Sequence, residues 1–158
     1  MNIFNIYEVA GMGVEKEKKR RDFYARVAKL FKEGELNRLF SQLRDWEEVH
    51  VAKFTEIQNS LKEESSAQSY EGELKSYMDS FIDDRLYRDV SAEEFSKRIK
   101  TPIDAVNHGI EFEKDAILFF TGIMPYITGA NKEVILKLID EERQHIIYLV
   151  ELKKKISG

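Results

Sequence analysis

The chain has 158 residues, enough for one domain with a sizeable core, and its net charge of −4 comes from 29 acidic and 25 basic residues mixed along the sequence. The absence of cysteine excludes disulfides, thiolate metal sites and iron–sulfur clusters. It also suits a cytoplasmic location, as does an N-terminus without a basic start, which makes a poor secretion signal. No long basic block indicates a nucleic-acid partner. The most apolar stretch, residues 116–130, is shorter than the roughly 20 residues that span a membrane.

Two helices are predicted in the first part of the chain. Inner-face residues recur in steps of three and four from residue 3 to residue 31, and Gly34 is expected to end this first helix. A second, cleaner stripe covers residues 36–61, and the polar stretch 62–69 follows it. A short link between them predicts an antiparallel hairpin.

A second hairpin is predicted in the last part of the chain. Thr101 has the character of an N-cap and Pro102 suits the first helical position, so a third helix is expected to begin there and to carry the stripe 103–127. The fourth helix is expected to begin with Asn131 as its cap and to carry the stripe 135–156.

The long connection between the hairpins, residues 64–100, is expected to contain helices, since structureless loops of that length are uncommon in compact domains. Apolar spacing over 72–88 and a capping box from Ser91 to Glu94 predict short helices. The whole pattern predicts one all-α domain over residues 1–158, an antiparallel four-helix bundle with a long crossover between helices 2 and 3.

Two motifs occur once in each hairpin at matching spacing. A Glu-x-x-His in the second helix of each hairpin recurs after 95 residues, and a lone Glu in the first helix, followed by two aromatic residues, recurs after 96. These motifs supply six polar residues at inner-face positions that are otherwise apolar: Glu17, Glu47, His50, Glu113, Glu142 and His145. Because an unpaired buried carboxylate costs roughly several kcal/mol, the group needs counter-charge.

Two divalent metal ions would balance the four carboxylates with both histidines neutral. The i, i+3 spacing of each Glu-x-x-His brings both of its side chains within reach of one ion. Carboxylate and imidazole ligands suit iron or manganese, with zinc and cobalt as possible substitutes. Two other interpretations stay open: the glutamates form a solvated face while the histidines pack in the core, or the bundle keeps the ligand types without binding metal.

The other polar residues near these six are interpreted more simply. His108 is predicted to be a surface histidine and Trp46 to pack in the core, whereas Tyr24 could donate a hydrogen bond to a ligand carboxylate. Four glutamates fall off the inner face and are interpreted as surface charge: Glu15, Glu48, Glu111 and Glu141.

The motifs resemble the diiron domain of the rubrerythrin family, in the ferritin-like superfamily, across roughly residues 5–155. The residues that carry the resemblance are Glu17 with Phe23-Tyr24, Glu47-x-x-His50, Glu113 with Phe119-Phe120, and Glu142-x-x-His145. It implies the ferritin-like version of the bundle, two iron ions bridged by carboxylates, reduction of peroxide or O2, a role in oxidative stress and a homodimer. It also implies that Glu47 and Glu142 bridge the irons, that the other four residues are terminal ligands, and that catalysis needs no residue beyond this metal site.

Three features depart from the family pattern. The four-cysteine rubredoxin-like tail is missing, so the electron donor would be a separate protein. Ala116 stands where rubrerythrins have a further glutamate, which weakens the case for efficient peroxidase activity. Arg20 and Arg21 follow one turn after Glu17, where the family has small or apolar residues. An inward arginine could pair with a ligand carboxylate and weaken metal binding, or it could mark a subunit interface.

The leading interpretation is a cytoplasmic diiron-carboxylate oxidoreductase that acts on peroxide or O2 with an external electron-donor protein. Two alternatives are kept from other functional classes. One is a ferritin-like protein that oxidises or stores Fe(II), and the other is a metal-free helical module that works through its surface.

Overall fold

The computed structural model describes residues 6–62, 76–77, 80 and 92–158. These residues include five α-helices and one 3₁₀ turn and contain no strand: α1 (Ile6–Leu30), α2 (Gly34–Ser60), α3 (Ala92–Arg98), α4 (Pro102–Ile123), the 3₁₀ turn Met124–Tyr126, and α5 (Ala130–Ile156). Helix α1 packs along α2 and α4 packs along α5, and contacts of α1 with α4 and of α2 with α5 join the two hairpins. The predicted all-α four-helix bundle is confirmed.

The link between α1 and α2 is tighter than the sequence indicated. Helix α1 ends at Leu30, whereas Gly34, predicted to end it, is the first residue of α2 and has a left-handed φ of +86°. The Asn37 side chain donates hydrogen bonds to the carbonyl oxygens of Ala28 (2.7 Å) and Phe31 (3.0 Å). A side chain of the second helix therefore satisfies carbonyl groups at the end of the first, where the helix itself supplies no partner.

The starts of α4 and α5 differ in how well the sequence predicted them. The N-cap at Thr101 is confirmed, because its hydroxyl accepts from the Asp104 amide (3.2 Å) and its own amide donates to the Asp104 carboxylate (2.9 Å). The cap predicted at Asn131 is wrong. Helix α5 begins directly after Gly129, whose φ is +63°, and the Asn131 side chain instead donates to the Ser60 hydroxyl at the end of α2 (2.8 Å).

The predicted crossover is described only in part. Helix α3 lies where a short helix was expected, and residues 76–77 and 80 are also helical. The rest of the predicted segment 72–88, and the proposed capping residue Ser91, lie outside the described residues. No helix in the described part of the chain is long and apolar enough to cross a lipid bilayer.

Two apolar clusters fill the two ends of the bundle. The first is built from buried residues of the segments 6–14, 51–61, 116–127 and 135–139. The second is built from the segments 23–28, 36–43, 105–112 and 149–152, together with Phe95 and Ile99 around α3. Because the helices of each hairpin run antiparallel, the segments between these clusters meet in one cross-section of the bundle, and that layer holds the buried polar residues.

Candidate metal centre

All six predicted ligands lie in the polar layer between the two apolar clusters. Each of the four long helices contributes at least one of them: Glu17 from α1, Glu47 and His50 from α2, Glu113 from α4, and Glu142 and His145 from α5. No more than 4% of the surface of any of these residues is exposed. The six motif residues, predicted from the sequence to face inward, therefore do meet in one layer of the bundle.

The six residues divide into two overlapping groups. The first subsite consists of Glu17, Glu47, His50 and Glu142, and the second subsite consists of Glu47, Glu113, Glu142 and His145. Within each subsite, one ligand atom from every residue lies within 4.8 Å of all the others. Two of the glutamates belong to both subsites, and they are the two that the family resemblance implies as bridging ligands.

The shared glutamates divide their oxygen atoms between the two subsites. His50 Nδ1 lies 3.3 Å from Glu47 Oε2 and 3.0 Å from Glu142 Oε1. His145 Nδ1 lies 3.3 Å from the other oxygen of Glu47, Oε1, and 2.9 Å from the other oxygen of Glu142, Oε2. Each shared carboxylate thus presents one oxygen to each histidine, which is the arrangement that a carboxylate bridging two ions adopts.

Several buried ligand atoms lack partners of the kind they need. Glu47 Oε1 and Oε2, Glu113 Oε2, Glu142 Oε2 and His145 Nδ1 make no hydrogen bond of good geometry with any described residue. A buried polar group left in this state costs about 1–3 kcal/mol, and more if it is charged. A cation bound in each subsite would give these atoms a partner. The carboxylates and imidazoles therefore fit two divalent ions of the iron and manganese type.

The four carboxyl groups differ in their affinity for protons. Burial raises the pKa of Glu17 well above its usual value, with Arg20 offsetting only part of the effect. Burial likewise raises the pKa of Glu113, and the charges of Glu142 and Glu47 add to the rise. Burial and the charge of Glu47 also act to raise the pKa of Glu142. Short polar contacts with Glu113 and with both histidines outweigh them and hold that pKa at about 2.

The two bridging candidates are therefore the carboxyl groups that ionise most readily in the metal-free site. Glu47 behaves like Glu142: burial acts to raise its pKa, but Arg20 and the neighbouring histidines hold it well below the usual value. Burial alone would lower the pKa of His50, yet short polar contacts with Glu142 and Glu47 raise it to about 11. Short polar contacts with Glu113 and Glu142 raise the pKa of His145 in the same way, against the effect of burial.

The structure distinguishes Arg20 from Arg21. Arg20 points into the polar layer, is 1% exposed, and forms an ion pair with Glu17. Its guanidinium also lies 3.7 Å from one oxygen of Glu47 and 3.7 Å from one oxygen of Glu142. Arg21 points outward and bonds to Glu48 at 2.8 Å. The expectation that an inward arginine pairs with a ligand carboxylate is therefore met by Arg20.

Besides Arg20, two residues outside the six form hydrogen bonds with their side chains. The Tyr24 hydroxyl donates a hydrogen bond to Glu113, as the sequence suggested. Glu141, interpreted as surface charge, accepts a hydrogen bond from His50 Nε2 at 2.6 Å and also lies 3.5 Å from Lys53 Nζ. The bond to Glu141 holds the outer nitrogen of His50 as the donor and leaves Nδ1 facing the first subsite. No sequence signal on α5 indicated this, because the contact depends on how α2 and α5 are rotated against each other.

An open cavity of about 290 Å³ lies on the α2–α5 side of the polar layer and reaches both histidines. Trp46 lines it and packs against the second apolar cluster, as expected, and its indole also stacks on the imidazole of His145 with ring centroids 5.0 Å apart. Tyr148 stacks in turn on Trp46, with centroids 5.5 Å apart. The cavity is thus an opening toward the ligands, walled by aromatic rings.

The other polar residues that lie close to the ligands in the sequence are set apart from them in the structure. Glu15, Glu48 and Glu111 are exposed, as predicted. The prediction that His108 is a surface histidine is wrong: it is half-buried, and its ring lies 4.8 Å from the ring centroids of both Phe23 and Phe112. Aromatic packing between α1 and α4 draws it inward.

Comparison with known proteins identifies the fold. No family model and no curated protein matches the sequence. A solved structure from Thermotoga maritima, described as a candidate ferritin-like diiron-carboxylate protein, is similar with a TM-score of 0.76. The likeness covers 98% of this chain and 97% of that one. The chain has a ferritin-like fold. With 19% sequence identity, the likeness extends to the fold alone, so the predicted ferritin-like bundle is confirmed and the resemblance to the rubrerythrin family stays a prediction.

Proposed function

We propose that the protein is a diiron-carboxylate oxidoreductase that reduces peroxide or O2 with electrons from a separate donor protein. The observation that supports this most strongly is that Glu47 and Glu142 each turn one oxygen toward His50 and the other toward His145. A carboxylate that presents one oxygen to each of two ions can bridge them, so this division suits a two-metal centre. Iron as the resident metal, a cytoplasmic location and a homodimer belong to the same proposal.

In this proposal the two subsites would each hold one ion, with the shared glutamates as bridges. When bound, a pair of ferrous ions would supply two electrons, which is enough to reduce peroxide to water or O2 to peroxide. The protein's own groups control the surroundings. The two apolar clusters exclude water from both ends of the layer. The cavity beside His50 and His145 gives a small oxidant a route to the ligands.

Tyr24 is the group best placed to hold a proton next to the centre. Burial, together with the negative charges of Glu113 and Glu47, raises its pKa well above the usual value, so its hydroxyl stays protonated. That hydroxyl donates to Glu113, a ligand of the second subsite only. Tyr24 therefore positions Glu113 and stabilises the charge on its carboxylate.

Oxidation of Fe(II), as in ferritins, is the second candidate, and Ala116 favours it. This residue is 1% exposed and packs within the first apolar cluster, at the position where the rubrerythrin family has a further glutamate. The chain therefore lacks the carboxylate that the resemblance links to the peroxidase cycle. The same six ligands would serve either activity.

The two candidate functions differ in what sustains turnover, either a supplied reductant or added Fe(II). Protein loaded anaerobically with Fe(II) is mixed with peroxide or with O2 in a stopped-flow instrument, and the rise of ferric absorbance is followed. An oxidoreductase should oxidise its bound iron and then turn over repeatedly when a reductant is supplied. Ferroxidase activity predicts turnover only while free Fe(II) is added. The variant Glu48→Gln changes an exposed glutamate beside Glu47 and should oxidise its iron like the wild type. Failure of both oxidants to oxidise the bound iron would contradict the proposal.

A further inference from the structure

The contacts of Arg20 fall on one side of the candidate metal centre. Its guanidinium pairs with Glu17 Oε1 and lies 3.7 Å from Glu47 Oε2 and 3.7 Å from Glu142 Oε1. Glu47 Oε2 and Glu142 Oε1 are the oxygens that face His50 Nδ1. Glu47 Oε1 and Glu142 Oε2 face His145. Arg20 therefore lies among the oxygens of the first subsite.

The charge of Arg20 is permanent. The side chain is 1% exposed, so water does not screen it, and a guanidinium keeps its proton at every pH that a folded protein tolerates. Glu17 lies three residues earlier on the same face of α1, so the pairing is set by the helix itself. A fixed positive charge at this position competes with any cation for the same carboxylate oxygens.

The second subsite has no equivalent cation in the internal repeat. The residue that lies 96 positions after Arg20, at the same offset that relates Glu17 to Glu113, is Ala116. Ala116 is buried in the first apolar cluster and carries no charge. The two halves of the chain match in their ligands and differ here, so the two subsites meet a dissimilar electrostatic environment.

We propose that Arg20 is a built-in cation of the first subsite, so that the two metal ions bind unequally and in a fixed order. This inference rests on the proposed function, since it presupposes that both subsites bind metal. The first ion enters the second subsite, formed by Glu113, His145 and the shared glutamates. The second ion enters beside Glu17 and His50 about 100-fold more weakly, because Arg20 must give up its contacts with the shared glutamates or remain as a repelling neighbour.

Titration of the metal-free protein with Co²⁺, read by its visible absorbance and by calorimetry, tests the order without any measurement of activity. The wild type should show two steps separated by about 100-fold in affinity. Arg20→Met removes the charge and keeps much of the volume, so the second step should tighten by about 100-fold. Arg20→Lys should keep the steps apart. Arg21→Met, at the neighbouring arginine that bonds outward to Glu48, is the matched control and should leave both steps unchanged.

The order itself is assigned with single ligand variants that leave Arg20 in place. His50→Ala should remove the weak step and spare the tight one, whereas His145→Ala should remove the tight step. These variants keep the inference testable if Arg20→Met does not fold. Equal affinities in the wild type, or loss of the tight step in His50→Ala, would overturn the inference and leave the proposed function standing. Absence of any Co²⁺ binding would overturn both.

Discussion

Glu141 shows how a residue outside the ligand set can control a ligand. Its carboxylate accepts the hydrogen bond from His50 Nε2 at 2.6 Å, and this bond fixes which nitrogen faces the first subsite. A carboxylate at this position also makes the imidazole a better electron donor to a metal. We expect such a residue to affect metal affinity without contacting the ion.

We therefore predict that Glu141→Ala weakens metal binding at the first subsite by about 10- to 100-fold and leaves the second subsite unchanged. A Co²⁺ titration followed by absorbance measures both affinities. Glu111→Ala serves as the control, because it removes an exposed glutamate of α4 that pairs with Lys114 on its own helix. Equal affinities in Glu141→Ala and the wild type would show that the bond to His50 has no role in metal binding.

The protons held by the metal-free site make metal binding depend on pH. The pKa of His50 is raised to about 11 and that of His145 is also raised, so at pH 7 both imidazoles carry a proton that a metal must displace. Burial also raises the pKa values of Glu17 and Glu113, which makes their carboxyl groups harder to ionise. Metal binding must therefore release protons, and the affinity must rise with pH and fall on acidification.

Calorimetry in two buffers of different ionisation enthalpy, at the same pH, counts the protons released. At pH 7 we expect about one proton to be released from each histidine. Repetition at pH 6 and pH 8 should give weaker and tighter binding, respectively. An affinity that does not change with pH, or a heat that is the same in both buffers, would contradict this prediction.

At the scale of helices, a buried ion pair joins α1 to α4. Lys16 Nζ lies 3.3 Å from Asp115 Oδ2, and both residues are buried. The lysine ammonium also lies over the ring of Phe119, at 5.8 Å from its centroid. Taking two charges out of water is costly, so the pair is tolerated because each partner compensates the other.

We predict that Asp115→Ala lowers the free energy of unfolding by about 3 kcal/mol, since it deprives a buried ammonium of this carboxylate. The double variant Lys16→Met/Asp115→Leu should recover most of that loss, because apolar residues of similar volume replace a buried pair at little cost. Urea denaturation of the metal-free protein measures both. Glu15→Ala breaks the exposed pair of Glu15 with Lys18 on the same helix and should change stability by less than about 0.5 kcal/mol. A loss as small in Asp115→Ala as in Glu15→Ala would contradict the prediction.

The helices also show what a single sequence can predict. Period-3.6 stripes specify which face of each helix is buried, so the four long helices and the inward position of the six polar residues followed from the sequence. The stripes could not separate Arg20 from Arg21, because the two lie three and four residues after Glu17 and both are compatible with the inner face. Several other contacts between helices could not be predicted from the sequence. The Glu141–His50 bond, the Lys16–Asp115 pair and the position of His108 depend on how neighbouring helices are rotated.

At the scale of the whole molecule, the assembly separates the functional alternatives. Large apolar residues are exposed on all four long helices, among them Leu30 (49%), Val49 (50%), Leu118 (59%) and Ile147 (48%). We predict a homodimer that buries part of this surface. Sedimentation equilibrium should give twice the chain mass of 18.5 kDa. A large closed shell would instead favour iron storage, and a monomer at all concentrations would contradict the predicted dimer.

The most direct measurement of the central claim is the metal content of the reconstituted protein. Metal-free protein is loaded anaerobically with Fe(II), and the unbound iron is removed. Its iron content is then measured by inductively coupled plasma mass spectrometry and compared with that of the double variant Glu47→Gln/Glu142→Gln. We expect about two irons per chain in the wild type and loss of both in the double variant, since each of the two replaced carboxylates belongs to both subsites. Wild-type protein that binds no iron, or a double variant that retains both ions, would contradict the assignment of a two-metal centre to this layer.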